Sequence, residues 1–320
     1  MANCYDIRGH CQQDFLLTLM EIKQAKGLRL TEVDYRSEIV GTLCPRSLAR
    51  RTSMKSFFSS FFFSLLFGVL ATAAPSNIEA LALLRGPHYF FAGPEVYHLW
   101  RERAGGTWQE GTLSGVHAGY DRIRGMSIYW GVDGYWARGE LNGSSARGLP
   151  FASQMTDSDI QGRLGYTLYF RSIGPITLSL FIGGGYFCER NSFHPPSPME
   201  VEFRTSFAYT AFGGYLRLYL APNTQLGIDF RAEFPVEGHC TISEGVGENK
   251  EIKLLFNSQT QYALEAPLIY FFGWKKITWG VGLVPFYRYR HYGGREGFPF
   301  DFFDTRISVA GGRLQLMGRF

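Results

Sequence analysis

The residues best equipped for chemistry lie in one stretch, 229–239, where Asp229, Glu233, Glu237 and His239 follow one another. Carboxylates beside an imidazole can activate water as general base and acid. His98 and His117 are candidates for a lipid-modifying hydrolase, but neither has a Ser at a diagnostic spacing, and the chain holds no G-x-S-x-G. His-rich or Cys-rich metal spacing is absent, as are phosphate-binding loops. The run GGGYF at Gly183–Phe187 sits inside an alternating segment, so its glycines read as allowing close side-chain approach rather than binding an anion. The sequence therefore points to no catalytic centre, no metal and no cofactor.

A second pattern is more extensive. Asp133, Arg163, Arg217, Asp229, Arg231, Glu233, Glu265, Arg288 and Arg290, together with Asp121 and Arg313, recur on one parity of successive alternating segments. If that parity encloses a narrow space of low dielectric, charges of both signs must pair or stay hydrated. The reading is an ion-pair plug with a structural role. The alternative is a constricted, weakly selective pore for ions or small solutes.

The elements that must position these charges alternate with period two. In DIQGRLGYTLYF, Ile160, Leu164, Tyr166, Leu168 and Phe170 oppose Gln161, Arg163 and Thr167. TQLGIDFRAEF sets Leu226, Ile228 and Phe230 against Gln225, Asp229, Arg231 and Glu233. Ten such segments are predicted, near 88–101, 111–121, 126–139, 158–170, 176–188, 203–219, 224–234, 253–268, 277–290 and 305–320. Irregular parity at 88–101 and 203–219 leaves eight or twelve strands as alternatives. Short connections (122–125, 171–175, 221–223, 271–276) alternate with longer ones (102–110, 140–157, 189–202, 235–252, 291–304). Tight turns at one end and long loops at the other are what a transmembrane β-barrel requires. The fold class expected is all-β: a closed antiparallel transmembrane barrel, because only closure pairs every backbone group in hydrocarbon. A soluble barrel or sandwich, with its apolar face inward, is the competing fold, since parity alone does not say which face is inside.

Composition agrees with strands. The 320 residues include Gly 38, Phe 28, Tyr 18 and Trp 6, and rings suit pleated surfaces while glycine suits turns. Lys+Arg 32 against Asp+Glu 28 is too balanced for a nucleic-acid surface. Trp100, Trp130, Trp136, Tyr219, Trp274, Trp279 and Tyr287 are placed to form interfacial girdles. The one continuous apolar run, Met54 to Pro75, has Arg50, Arg51 and Lys55 around its start and Ala71-Thr72-Ala73 at its end, the layout of a secretory signal peptide. The expected organisation is a misannotated or disordered extension at 1–53, a signal peptide at 54–73, a short periplasmic segment at 74–87 and the barrel at 88–320. Cys188 and Cys240 are then the cysteines of the exported part and candidates for a disulfide between neighbouring loops.

The chain ends GGRLQLMGRF, with Leu314, Leu316 and Phe320 on one parity. In its signal peptide, alternating strands and terminal aromatic it resembles small Gram-negative outer-membrane β-barrel proteins, the OmpA/OmpX-like and Opa-like surface class. That resemblance implies a place in the bacterial outer membrane and contact with its lipid. It also implies that Leu314, Leu316 and Phe320 are the signal read by the barrel-assembly machinery. Loops 189–202 and 291–304, the latter with Phe298, Phe300, Phe302 and Phe303, are the expected contacts for an extracellular partner. Ten-strand outer-membrane proteases of the omptin type are similar in topology. For those, Asp229, Glu233, Glu237 and His239 would be the nearest catalytic positions, without the paired-Asp or Asp-x-His partners that chemistry uses.

Overall fold

The computed structural model describes residues 87–103, 106–145, 148–170, 176–197, 200–221, 223–244, 252–256, 260–274, 277–293 and 304–320. The expectations for the leader and signal peptide, and for the Phe cluster at 298–303, lie outside these residues. The strands are β1 (His88–Arg103), β2 (Thr107–Arg122), β3 (Ser127–Ser144), β4 (Pro150–Phe170), β5 (Ile176–His194), β6 (Val201–Ala221), β7 (Thr224–Glu244), β8 (Ile252–Phe256), β9 (Gln261–Glu265), β10 (Leu268–Trp274), β11 (Ile277–Tyr292) and β12 (Thr305–Arg319).

These strands fill ten positions around a closed antiparallel barrel. Each of the first seven pairs with its neighbours in chain order, and β12 closes the ring on β1. β8, β9 and β10 follow one another along the eighth position. β9 and β10 each pair with β7 on one side and β11 on the other, and all three segments keep one register against β7. The break between β9 and β10 falls at Pro267, which has no N–H to give the ladder. Backbone bonds nevertheless bracket it: Ala266 donates to Pro285 and Gly227 donates to the carbonyl of Pro267.

The register fixes the tilt. Stepping sideways from His88 through Arg122, Trp130, Leu164, Ile182, Phe212, Ala232, Tyr262, Tyr289 and Ser308 returns the path to Trp100. The stagger per turn is thus 100 − 88 = 12 residues. With strands roughly 4.8 Å apart and rising roughly 3.3 Å per residue, ten strands with that stagger tilt by about 40°.

Exposure decides which parity faces out. Ile160, Leu164, Tyr166 and Phe170 on β4, Leu180, Ile182 and Tyr186 on β5, and Val281, Leu283 and Tyr287 on β11 all project from the wall, Leu164 with 56% of its surface free. The polar parity points inward and is buried. A soluble barrel would show the reverse. From Phe170 to Ile160 the apolar belt runs ten residues of β4, about 25 Å along the axis at this tilt, which matches the height of hydrocarbon that outer-membrane barrels span. Beyond Ile160 the outward side chains of β4 become Ser158, Thr156 and Gln154, and those of β3 become Arg138, Glu140 and Asn142. A collar of polar outer surface therefore continues past the belt on the same strands.

Three expectations need correction here. The segments 140–157, 189–202 and 235–252 are mostly strand rather than loop, because the alternation carries on after the outward residues turn polar. Cys188 and Cys240 are free thiols. Both lie within strands, Cys188 half-buried on the outward parity of β5 and Cys240 buried on the inward parity of β7, so the wall separates them and the expected bridge does not form. Tyr219 shares the inward parity of Arg217 and does not belong to an outer aromatic girdle.

Candidate functional site: the lumen

Alternation sends every second side chain of ten strands into one narrow space, and the sequence sorts those side chains into layers. At the end where both chain termini of the barrel lie, Tyr89, Phe91, Tyr129, Phe181, Tyr215 and Met317 pack together. Above them sits the charged layer. Above that, within the collar, a second apolar layer contains Leu99, Leu113, Leu141, Met155, Phe187, Phe207, Ile307 and Val309, each at most 2% exposed.

All eleven charged residues singled out from the sequence point into the barrel and are buried. Arg163 is the hub. Its guanidinium reaches Asp133 at 2.7 Å, Asp229 at 3.1 Å and Asp121 at 3.4 Å. Arg231 bridges Glu233 at 3.3 Å, Glu265 at 3.5 Å and Asp133 at 3.9 Å. Arg313 joins Glu265 at 2.7 Å to Glu95 at 3.5 Å, and Arg288 grips both oxygens of Glu95 at 3.1 and 3.2 Å. His117 contacts Asp133 at 3.2 Å. Six carboxylates and four arginines thus form one connected network, the arrangement that buried charges of both signs require. Arg217 differs: it stacks on Tyr215 and Tyr89, with its charge over the rings at 4.6 and 5.5 Å.

Small residues make room for this layer. A Cβ on Gly131 would stand 2.1 Å from Asp121 Oδ1, and one on Gly119 would stand 2.7 Å from the Asp133 Cβ. Within GGGYF, a Cβ on Gly185 would lie 2.4 Å from the Tyr209 hydroxyl, which donates to Asp159 at 2.9 Å. These glycines serve side-chain approach.

Two further ion pairs inside the collar were not expected. Arg290 reaches Asp157 at 3.1 Å, and Asp157 also accepts from Tyr97 at 2.8 Å and Tyr135 at 3.1 Å. Arg101 pairs with Glu189, which accepts from Tyr292 at 3.0 Å. Asp157 and Glu189 fell in segments read as loops. Continuing the parity of Arg163 back through Gln161 and Asp159 to Asp157 would have found the first.

The residues considered for catalysis are not brought together. Asp229 and Glu233 belong to the ion network, whereas the His239 side chain is on the outward parity of the collar. His98 is outside the wall, bonded to Thr112 at 3.2 Å, and His117 is inside it. Among the described residues no group of three or more His, Cys, Asp or Glu is arranged to hold a metal ion.

A closed antiparallel barrel with an apolar belt of membrane height outside and paired charges inside is the architecture of outer-membrane β-barrels. Solved structures of that class are similar in fold. The outer membrane protease OmpT from Escherichia coli matches at 11% identity and a TM-score of 0.44, over 73% of this chain and 96% of that one. The translocator domain of the autotransporter NalP from Neisseria meningitidis matches at 11% identity and 0.37, over 84% and 98%. The Pseudomonas putida toluene transporter TodX matches at 11% identity and 0.30, over 77% and 93%. No protein-family model matches the chain, and no curated protein sequence does.

Proposed function

We propose that this chain is a non-conducting surface barrel of the bacterial outer membrane, whose lumen stabilises the wall and whose collar and loops make external contacts. The observation that carries this reading is the layering of the lumen. The charged network lies between two apolar layers, and the upper one packs Leu99, Leu113, Leu141, Ile307 and Val309 to 0% exposure. A hydrated ion path would have to pass between these side chains and the Arg101–Glu189 and Arg290–Asp157 pairs buried at the same level, at a high desolvation cost. The paired network then serves to hold ten strands in register. Phe320, exposed on the belt beside Leu314 and Leu316, is the barrel-assembly signal in this account. Deleting it lowers the yield of inserted barrel without altering the stability of what inserts.

Reconstitution in planar bilayers tests the sealed lumen. The expected result is no conductance above the bare membrane under moderate voltage. Steady open-channel steps from protein shown to be inserted would establish the pore reading instead.

A further inference from the structure

We propose that Asp159 is a proton-binding site of the lumen, which carries a proton in mild acid and releases it in mild alkali, loosening the barrel as it does so. The site needs only the closed barrel and stands whether or not the lumen conducts.

Asp159 differs from the other lumen carboxylates described above. The six of the ion network, and Asp157 and Glu189 in the collar, each have an arginine nitrogen within 3.4 Å. Among the described residues Asp159 pairs with no arginine. The donor to its carboxylate is the Tyr209 hydroxyl of β6, 2.9 Å from both oxygens. Asp159 is half-buried and stands just above the apolar belt, which ends on β4 at Ile160.

The groups around it explain why no cation answers its charge. From β7 it is faced by Glu233 and Arg231, and Arg231 bridges Glu233 at 3.3 Å while donating Nη1 to Gln161 at 2.5 Å. From β11 it is faced by Arg290, which holds Asp157 at 3.1 Å and the Tyr135 hydroxyl of β3. From β5 its register partner is Phe187, uncharged, with the Arg290 guanidinium 4.2 Å above the ring centre. Both nearby arginines are thus committed to other carboxylates, and Glu233 adds a like charge. A carboxyl group withdrawn from water beside a like charge, with no cation of its own, favours its neutral form. Burial first, and then Glu233, push the Asp159 carboxyl up to about 7, over the opposing pull of Arg231 and Arg290. In the neutral form no arginine has to leave its partner. Once ionised, Asp159 competes with Asp157 for Arg290, whose guanidinium lies against the upper apolar layer at Phe187.

The sign follows from linkage. An acid with a higher pKa in the folded chain than in the unfolded one stabilises the fold below the folded pKa, and that gain is lost as pH rises through it. From about 3.9 unfolded to about 7 folded, this one group lowers the folding equilibrium constant roughly thirtyfold between about pH 5.5 and about pH 8.5.

Urea unfolding of the full chain in vesicles, across that pH range, tests the proposal on wild type and Asp159→Asn, which keeps the shape and cannot titrate. Histidines titrate in the same window in both proteins, so the difference between the two profiles reports Asp159. The wild-type folding constant is expected to fall roughly thirtyfold further than that of Asp159→Asn from the acid to the alkaline end. Tyr209→Phe removes the donor that serves the ionised form and is expected to move the wild-type transition to higher pH. Infrared spectra of wild type are expected to show a protonated-carboxyl component at the acid end that vanishes at the alkaline end and is missing from Asp159→Asn. Parallel profiles for wild type and Asp159→Asn, a Tyr209→Phe transition at lower pH, or a wild type without that infrared component would each overturn the site. So would a stability that follows sodium concentration at constant ionic strength instead of pH, since the occupant would then be a metal cation.

Discussion

Replacing Arg163 by Met tests the ion network at its hub. Arg163 is 7% exposed and holds three carboxylates at 2.7 to 3.4 Å. In Arg163→Met, Asp133 keeps His117 at 3.2 Å and Arg231 at 3.9 Å, and Asp121 keeps the Tyr129 hydroxyl at 2.9 Å. Asp229 loses its 3.1 Å contact and stays buried among other carboxylates. Each pair at about 3 Å has a gross attraction near 5 kcal/mol at an effective dielectric of roughly 20. Stripping one partner from a buried pair costs about 3–5 kcal/mol net, because a charge is left uncompensated. The assay is urea unfolding of the vesicle-inserted barrel followed by tryptophan fluorescence, with linear extrapolation. Adding Asp229→Asn to Arg163→Met should restore at least about 1 kcal/mol, since it removes the stranded charge. On the outer wall Arg190, with 61% of its side chain free, is paired with Glu202 at 2.6 Å, and Arg190→Ala should cost less than about 1 kcal/mol. An Arg163→Met barrel within about 0.5 kcal/mol of wild type would refute the view that the lumen charges hold the wall together.

Other substitutions probe the remaining layers. Leu164 sits mid-belt on the outer face, so Leu164→Arg should destabilise the inserted barrel by about 2–4 kcal/mol in the same urea assay. Leu113 is fully buried in the upper apolar layer, and Leu113→Ala should cost about 2–5 kcal/mol even though it lies inside the collar. Non-reducing peptide mapping should recover Cys188 and Cys240 as separately alkylated peptides and no linked pair, because the two thiols are on opposite sides of the wall.

Much of this architecture was legible from period-two patterns, because a transmembrane strand displays both of its environments in one run of residues. Arg163 and Leu164 are neighbours in sequence and face ion pairs and hydrocarbon respectively. The terminal strand was equally readable, with Arg313, Gln315 and Met317 buried while Leu314, Leu316 and Phe320 project. The collar was not readable in the same way. Beyond Ile160 both faces of β4 carry polar side chains, Asp157 inward and Ser158 outward, so the contrast that marks a strand disappears. The same loss hid the upper halves of β5 and β7 and, with them, Glu189 and the true setting of Cys240. The broken eighth position was visible only as one long segment, since Pro267 interrupts the ladder without changing the register. Pairings such as Arg163 with Asp229, 66 residues apart, depend on the stagger of the closed barrel, which no local pattern encodes.

The central claim is that apolar side chains of the belt face lipid while those of the collar face water. Single cysteines at Leu164→Cys and Arg190→Cys, in a background with every native cysteine replaced by Ser, measure it directly through labelling by a water-soluble maleimide in intact vesicles. The account predicts rapid labelling at position 190 and none at 164 until the vesicles are dissolved and the protein unfolded. Equal labelling of the two positions in intact vesicles would contradict it.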